Sequence, residues 1–254
     1  MSNFDILGNV AVVKFSRETK NLEKKNFAKK LMSNHRGVKT VMEKIGKFKG
    51  RLRKQSLKYV LGEKTSEALY RENDCVFRFD IKKTYFSPRL SNERREISSM
   101  VKKGDVLVMF AGVAPFSIVI ARNSKARVFS NEINREANKY GKLNAELNKV
   151  KNKVVFLDGD IKRIAWKIKE KFDYIVMPRP QLKDSFLKEA FSLSKKGTRI
   201  FYYDFCRMDE IDLIVDKIRN EAKKCRKKIK ILKKKTAGEI APYRARVRVD
   251  FMVL

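Results

Sequence analysis

Asp105-Val-Leu-Val-Met-Phe-Ala-Gly-Val-Ala-Pro-Phe-Ser-Ile-Val-Ile120 decides the fold. The apolar run 106–110, the small-residue turn Ala111-Gly112-Val113-Ala114 and the second apolar segment from Phe116 spell a buried strand, a tight loop and a helix. Such a unit opens a parallel α/β sheet. Small residues let a ligand approach the backbone, and the helix beyond offers free N–H groups and the positive end of its dipole. No Gly-Lys-Ser/Thr follows, so this is not a Walker loop, and the full G-x-G-x-x-G fingerprint is missing. The loop alone leaves open a nucleotide-type site and an ordinary strand-to-helix turn.

Downstream the pattern alternates. Strands are expected at 126–131, 153–157, 174–177 and 198–203, and helices at 135–147, 161–170, 182–193 and 208–222, which gives a doubly wound parallel sheet. After Lys223 the pattern changes to two strands, 229–233 and 245–253, with no helix between them. An antiparallel hairpin closing a parallel sheet is the layout of the class I AdoMet-dependent methyltransferase fold, Rossmann-like in its winding. Upstream, residues 4–15 read as a β-hairpin about Gly8-Asn9, followed by a charged helix over 18–32. Further strands are expected at 38–45, 67–70 and 76–80. These segments form a small α+β domain, residues 1–83, for RNA or substrate binding. The catalytic Rossmann-like domain takes residues 84–254, with 81–104 as the connection.

Composition narrows the partner. The 254 residues carry 61 Lys+Arg against 29 Asp+Glu, a net charge of +32 spread along the whole chain. So large an excess points to a polyanion, with nucleic acid the first candidate. An anionic membrane surface is second, but no apolar run approaches a transmembrane length, and no signal peptide or lipidation motif is evident. A cytoplasmic location is expected. Cys75, Cys206 and Cys225 are scattered and His35 is the single histidine. No metal site is therefore expected, and any general base must be a carboxylate, Lys, Tyr or Cys.

In doubly wound sheets the ligand lies over the carboxyl ends of the central strands. Three such ends carry suitable chemistry. The loop Phe110-Ala111-Gly112-Val113 follows the first strand. Glu132, followed by Ile133, ends the second, where a carboxylate takes a ribose diol. Asp160 ends the third, within reach of an adenine edge, and Met177 closes the fourth. Taken together they favour S-adenosyl-L-methionine over NAD. Read alone, Glu132 is equally a helix N-terminal acid.

Tyr85-Phe-Ser-Pro-Arg-Leu-Ser-Asn-Glu-Arg94, followed by 109–117 and Ala241-Pro-Tyr-Arg244, resembles the archaeal and eukaryotic tRNA (guanine-N1)-methyltransferases that modify position 37, next to the anticodon. The resemblance covers nearly the whole chain and implies S-adenosyl-L-methionine as cofactor, the tRNA anticodon loop as partner, and extrusion of the target base. It implies Glu93 as general base, Arg53 as the cation facing O6, and Tyr85 beside the cofactor. Arg89, Arg94, Pro178, Pro180 and Arg244 are assigned to tRNA. Read without the family, Glu93 and Arg94 are an exposed pair at a helix start. The small N-terminal domain of many members is expected to be missing, and a monomer is expected.

Several positions depart from the family pattern. Val108 stands where an acid usually closes the first strand, Ala114 where glycine is usual, and Asn134-Arg135 where Asn-Pro follows the ribose acid. Pro178-Arg179-Pro180 replaces an Asn-x-Pro motif that helps hold the guanine. Two other readings stay open: an aminocarboxypropyl transferase of wybutosine synthesis on the same fold, against which Pro88-Arg89-Leu90 argues, and a tRNA-binding protein with weak catalysis.

Overall fold

The computed structural model describes residues 3–46, 50, 55–179 and 184–254. The chain opens with the expected hairpin, β1 (Asn3–Leu7) and β2 (Val10–Lys14). Helix α1 (Asn21–Asn34) then crosses to β3 (Thr40–Lys44), parallel to β2, and β4 (Leu57–Gly62) completes a sheet in the order β1-β2-β3-β4. Strand β4 was not expected. Its single fully buried residue, Leu57, lies among half-buried and exposed neighbours and leaves little alternation to read. The continuous apolar run Val10–Val13 is explained because both faces of β2 are covered. Ala11 and Val13 pack with Ala28 and Leu31 of α1 on one face. Val10 and Val12 join the core of the rest of the molecule on the other.

Strands β5 (Glu67–Glu72) and β6 (Cys75–Asp80) form a separate two-stranded sheet. Asn73 and Asp74, both at positive φ, make the tight turn between them. The β1–β2 turn is laced to β5. A Cβ on Gly8 would fall 1.9 Å from the Leu69 carbonyl oxygen, and the Asn9 side chain accepts the Leu69 N–H at 2.7 Å.

Residues between this hairpin and the main sheet hold helix α2 (Ser91–Met100), within the stretch read as a connection, where a helix start was expected at Glu93 and Arg94 but no span was given. The main sheet follows with β7 (Asp105–Val108), α3 (Pro115–Asn123), β8 (Arg127–Glu132), α4 (Arg135–Leu147), β9 (Val154–Asp158), α5 (Ile161–Ile164) and β10 (Phe172–Met177). It ends with α6 (Leu187–Ser192), β11 (Ser194–Arg207), α7 (Ile211–Lys224), β12 (Ile229–Ala241) and β13 (Arg244–Val253). Strand order is β12-β13-β11-β10-β7-β8-β9, parallel from β11 to β9, with β13 antiparallel to both its neighbours. This is the class I AdoMet-dependent methyltransferase sheet.

Helix α5 is shorter than expected and passes into a 3-10 turn, Ala165–Lys167, that leaves Trp166 exposed. Strand β12 is longer than its apolar residues suggest, because its lysines project from the sheet edge and pair with Glu96 and Asp212. The small β-hairpin docks on α4 through two asparagines. Asn144 Oδ1 accepts the Arg78 N–H at 2.7 Å, and Asn148 both accepts from Val76 N and donates to Val76 O. No helix among the described residues is long and apolar enough to cross a membrane.

Candidate active site

Loop geometry at the end of β7 follows from its small residues. The backbone takes positive φ at Phe110, Gly112 and Ala114. Pro115 then starts α3, where its missing N–H costs nothing. A Cβ on Gly112 would stand 3.2 Å from the Tyr85 carbonyl oxygen, so the loop passes tightly under Tyr85. Ala111 and Val113 turn into the core and Met177 is fully buried below; these three shape the site by backbone and packing and do not line it.

Glu132 ties the first loop to the second. Its carboxylate accepts the N–H groups of Gly112 at 2.8 Å and Asn134 at 2.7 Å, and its carbonyl accepts Gly159 N–H at 2.9 Å. Burial pushes the Glu132 carboxyl up, against the backbone donors that favour its charged form. A carboxylate offers about four lone-pair directions, so acceptor capacity remains for a hydroxyl. Asp160 caps α5, accepting Lys162 N–H at 3.1 Å. The Asn131 amide holds the neighbouring loop by donating to Leu157 O and Gly159 O.

These ends enclose a cleft lined by Tyr85, Phe110, Gly112, Glu132, Ile133, Asp160 and Pro178, all named from the sequence. Asn131, Phe186, Phe205 and Arg246 also line it and were not foreseen, as do Leu90, Asn134 and Arg179, which lie in the motifs noted above but were given no site role. The rings of Phe110 and Phe186 meet edge to face, centroids 4.8 Å apart, at the apolar side. A close-approach glycine, an acceptor at the second strand end, a capping aspartate at the third and an aromatic wall together fit an adenosyl cofactor.

A second, wider groove of about 580 Å³ lies between the N-terminal sheet and the main sheet, a size typical of ligand sites. Phe4, Asp5, Lys14, Lys44, Pro88 and Arg89 line it on one side, and Ala237 to Ile240 on the other. Arg89 pairs loosely with Asp5 at 3.7 Å in this lining. The groove and the cleft share three residues, Tyr85, Phe205 and Arg246.

Glu93 and Arg94 are not the exposed pair that their polar neighbourhood suggested; they are 4% and 1% exposed. Arg94 is clamped on Glu72 and on the Ser87 carbonyl, over the rings of Phe86 and Phe116. Glu93 accepts from Arg248 at 2.6 Å, Tyr203 at 2.8 Å and Lys235 at 2.8 Å. It lines neither cavity. Register places it one layer below their junction: Phe205 pairs with Arg246 across the ladder, and Tyr203 with Arg248 one step deeper. Arg244 is exposed beside Arg207 and Glu210 and lines neither the cleft nor the groove. Arg53 and Pro180 lie outside the described residues. Arg179 is buried, paired with Asp204 and donating to Asp184 O at 2.6 Å.

The family model of the TRM5/TYW2 methyltransferase domain matches residues 68–232. The chain belongs to this family. Residues 1–65 match the TYW2 N-terminal domain, so the expectation that the family's N-terminal domain is missing is not supported. A tRNA (guanine(37)-N(1))-methyltransferase Trm5b of Pyrococcus abyssi is 36% identical over 99% of this chain and 75% of its own length. Its crystal structure superposes with a TM-score of 0.87 at 35% identity, covering 99% of this chain and 74% of that one. The bifunctional tRNA (guanine(37)-N(1))/4-demethylwyosine(37)-methyltransferase Taw22 of Nanoarchaeum equitans is 31% identical, covering 99% of this chain and all of the relative. An aTrm5 solved as a complex with tRNALeu aligns at TM-score 0.85 and 27% identity, over 99% of this chain and 72% of that one. The fold and the methyltransferase class expected from the sequence stand.

Proposed function

We propose that this protein methylates N1 of guanosine at position 37 of tRNA, using S-adenosyl-L-methionine. The observation that carries the reading is the junction itself: a cleft suited to an adenosyl group opens, at Tyr85, Phe205 and Arg246, onto a wide groove edged by Lys14, Lys44 and Arg89. The family, the relatives named for this reaction and the net charge of +32 support it.

When bound, S-adenosyl-L-methionine supplies an electrophilic methyl group. Glu132 would hold the ribose, Asp160 the adenine side, and Phe110 with Phe186 would exclude water. N1 of guanine bears a proton at neutral pH, so its methylation needs a base and a cation for charge growing on O6. Glu93 is proposed as the base; it must give up one of its donors when the nucleotide enters, and contacts of this kind often form only in the loaded complex. Arg53 is proposed for O6 on the family resemblance. The tRNA anticodon loop is the proposed partner and Arg89 a phosphate or base contact. The N-terminal unit is read as the RNA-facing part, and the enzyme as a cytoplasmic monomer.

Pro178 has no side-chain amide for the guanine, and Taw22 is named for a second acceptor at the same position. Methylation of 4-demethylwyosine is therefore a second reading. Labelled cofactor with tRNA carrying guanosine or 4-demethylwyosine at position 37, followed by nucleoside mass spectrometry, tests both. Appearance of 1-methylguanosine supports the first, whereas a larger aminocarboxypropyl increment or no product overturns it.

A further inference from the structure

We infer that Arg246 recognises the O6 and N7 edge of the target guanine and does the positioning for which Pro178 has no side-chain amide; this rests on the guanine-methylation reading. Three observations point there. Arg246 belongs to both cavities, at the place where cofactor and nucleotide must meet. Its guanidinium lies over the Phe205 ring, 5.2 Å from the centroid, a stacking that fixes the plane of a guanidinium. It also forms no ion pair with any described residue. Arg248, two residues along the same face, contacts Glu93, Glu96 and Asp250. One arginine is neutralised by carboxylates, and the other keeps its donors for a ligand.

Chemistry selects the ligand edge. N1 must face the methyl donor, so the Watson–Crick edge is engaged by the reaction. Of guanine's other acceptors, O6 and N7 lie side by side and match the two parallel donors of an arginine. Adenine presents an amino donor in place of O6 and would leave the guanidinium opposed by N–H groups. The hydrogen bond to O6 also strengthens as charge builds there during proton loss. Pro178 lines the cofactor side of the same cleft, so β13 supplies from one wall the guanine recognition that the end of β10 cannot offer from the other.

The test uses the full-length protein with tRNA bearing guanosine or 7-deazaguanosine at position 37, read as kcat/KM for methyl transfer. Removing N7 should lower the wild-type value about tenfold, the loss of one hydrogen bond to a charged donor. Arg246→Ala should lower activity on guanosine by about 5- to 150-fold, and it should no longer distinguish the two tRNAs. Arg246→Lys should recover only part, because a point charge does not span two acceptors. The wild-type comparison does not depend on a variant folding. A wild type indifferent to N7, an Arg246→Ala protein with unchanged kcat/KM, or one keeping the full N7 penalty would each overturn the assignment. Absence of 1-methylguanosine with wild-type protein and ordinary tRNA would overturn the guanine-methylation reading itself, and that outcome is distinct from the other three.

Discussion

The two faces of β11 carry two buried ionic clusters that look alike and are built for different ends. On one face Tyr203 joins Glu93, Arg248 and Lys235, with Glu96 and Asp250 around them. On the other, Tyr202 and Asp204 meet Arg179 and Lys217. The first cluster lies one ladder step beneath the junction of cleft and groove, and its carboxylate is shared among three donors that can be surrendered singly. The second is closed: Asp204 accepts from Tyr202, Lys217 and its neighbour's N–H as well as from Arg179. Burial pushes Tyr203 well above its ordinary value, and Glu93 beside it pushes further, so the phenol stays a donor. Buried charge by itself therefore does not mark a reacting group; what sets the first cluster apart is its place one ladder step beneath Phe205 and Arg246, which line both cavities, whereas the second reaches only the cleft, through Arg179.

The largest expected effect separates these faces. Glu93→Gln keeps the shape of the side chain and removes the proposed base, and methyl transfer should fall by about 10²- to 10⁴-fold in single-turnover assays. Asp204→Ala leaves Arg179 buried without its carboxylate and should cost about 3–5 kcal/mol in denaturant unfolding; because Arg179 lines the cofactor cleft, cofactor KM should rise, while methyl transfer at saturating cofactor falls far less than in Glu93→Gln. If Asp204→Ala abolishes chemistry as thoroughly as Glu93→Gln, the division of labour between the faces fails.

Acid should sharpen the same contrast at intermediate scale. Burial alone would raise Asp204, but Arg179, Tyr202 and Lys217 outweigh it and hold the carboxyl below its ordinary value of 3.8. A depressed carboxylate contributes stability that is complete above its unfolded value and is lost as pH falls through the folded one. Wild type should therefore lose stability below about pH 4, and Asp204→Asn should show a flatter curve there. Chemical denaturation at several pH values checks this. An unchanged slope in the variant would remove Asp204 from the acid response.

The parallel sheet was legible because its strands are short apolar runs between helical periods, and the strand ends that line the cleft were legible because they follow those strands in order. The span and buried face of helix α2 were not, for a physical reason: that face is Glu93, Arg94, Ile97 and Ser98, so hydrophobic periodicity has little to register. The same fact made Glu93 and Arg94 look exposed. Phe205 and Arg246 were missed because their meeting is a matter of register between β11 and β13, 41 residues apart in sequence and directly opposed in the ladder. Alternation in Tyr203-Asp-Phe205 and Arg246-Val-Arg248 was the available signal, and without the pairing it does not say which side faces the ligand.

Ala114 gives the smallest effect and tests how finely the Tyr203 face is tuned. It caps α3 at φ +66, where the resemblance leads to an expectation of glycine and where an L side chain costs about 1–2 kcal/mol. Glycine would relieve that cost. It would also forfeit a buried methyl, worth about 0.8 kcal/mol, and free the unfolded chain by about 0.4–1 kcal/mol. The terms nearly cancel, so Ala114→Gly should change unfolding free energy by less than about 1 kcal/mol. Its neighbour shows why the methyl is tolerated: Gly141 leaves room, since a Cβ there would sit 3.4 Å from the Ala114 Cβ and only 2.8 Å from the Phe156 ring. Gly141→Ala should therefore destabilise clearly more than Ala114→Gly in the same unfolding assay. If instead Ala114→Gly stabilised by several kcal/mol, the loop would be strained well beyond its φ, and the departure from glycine would need a functional cause.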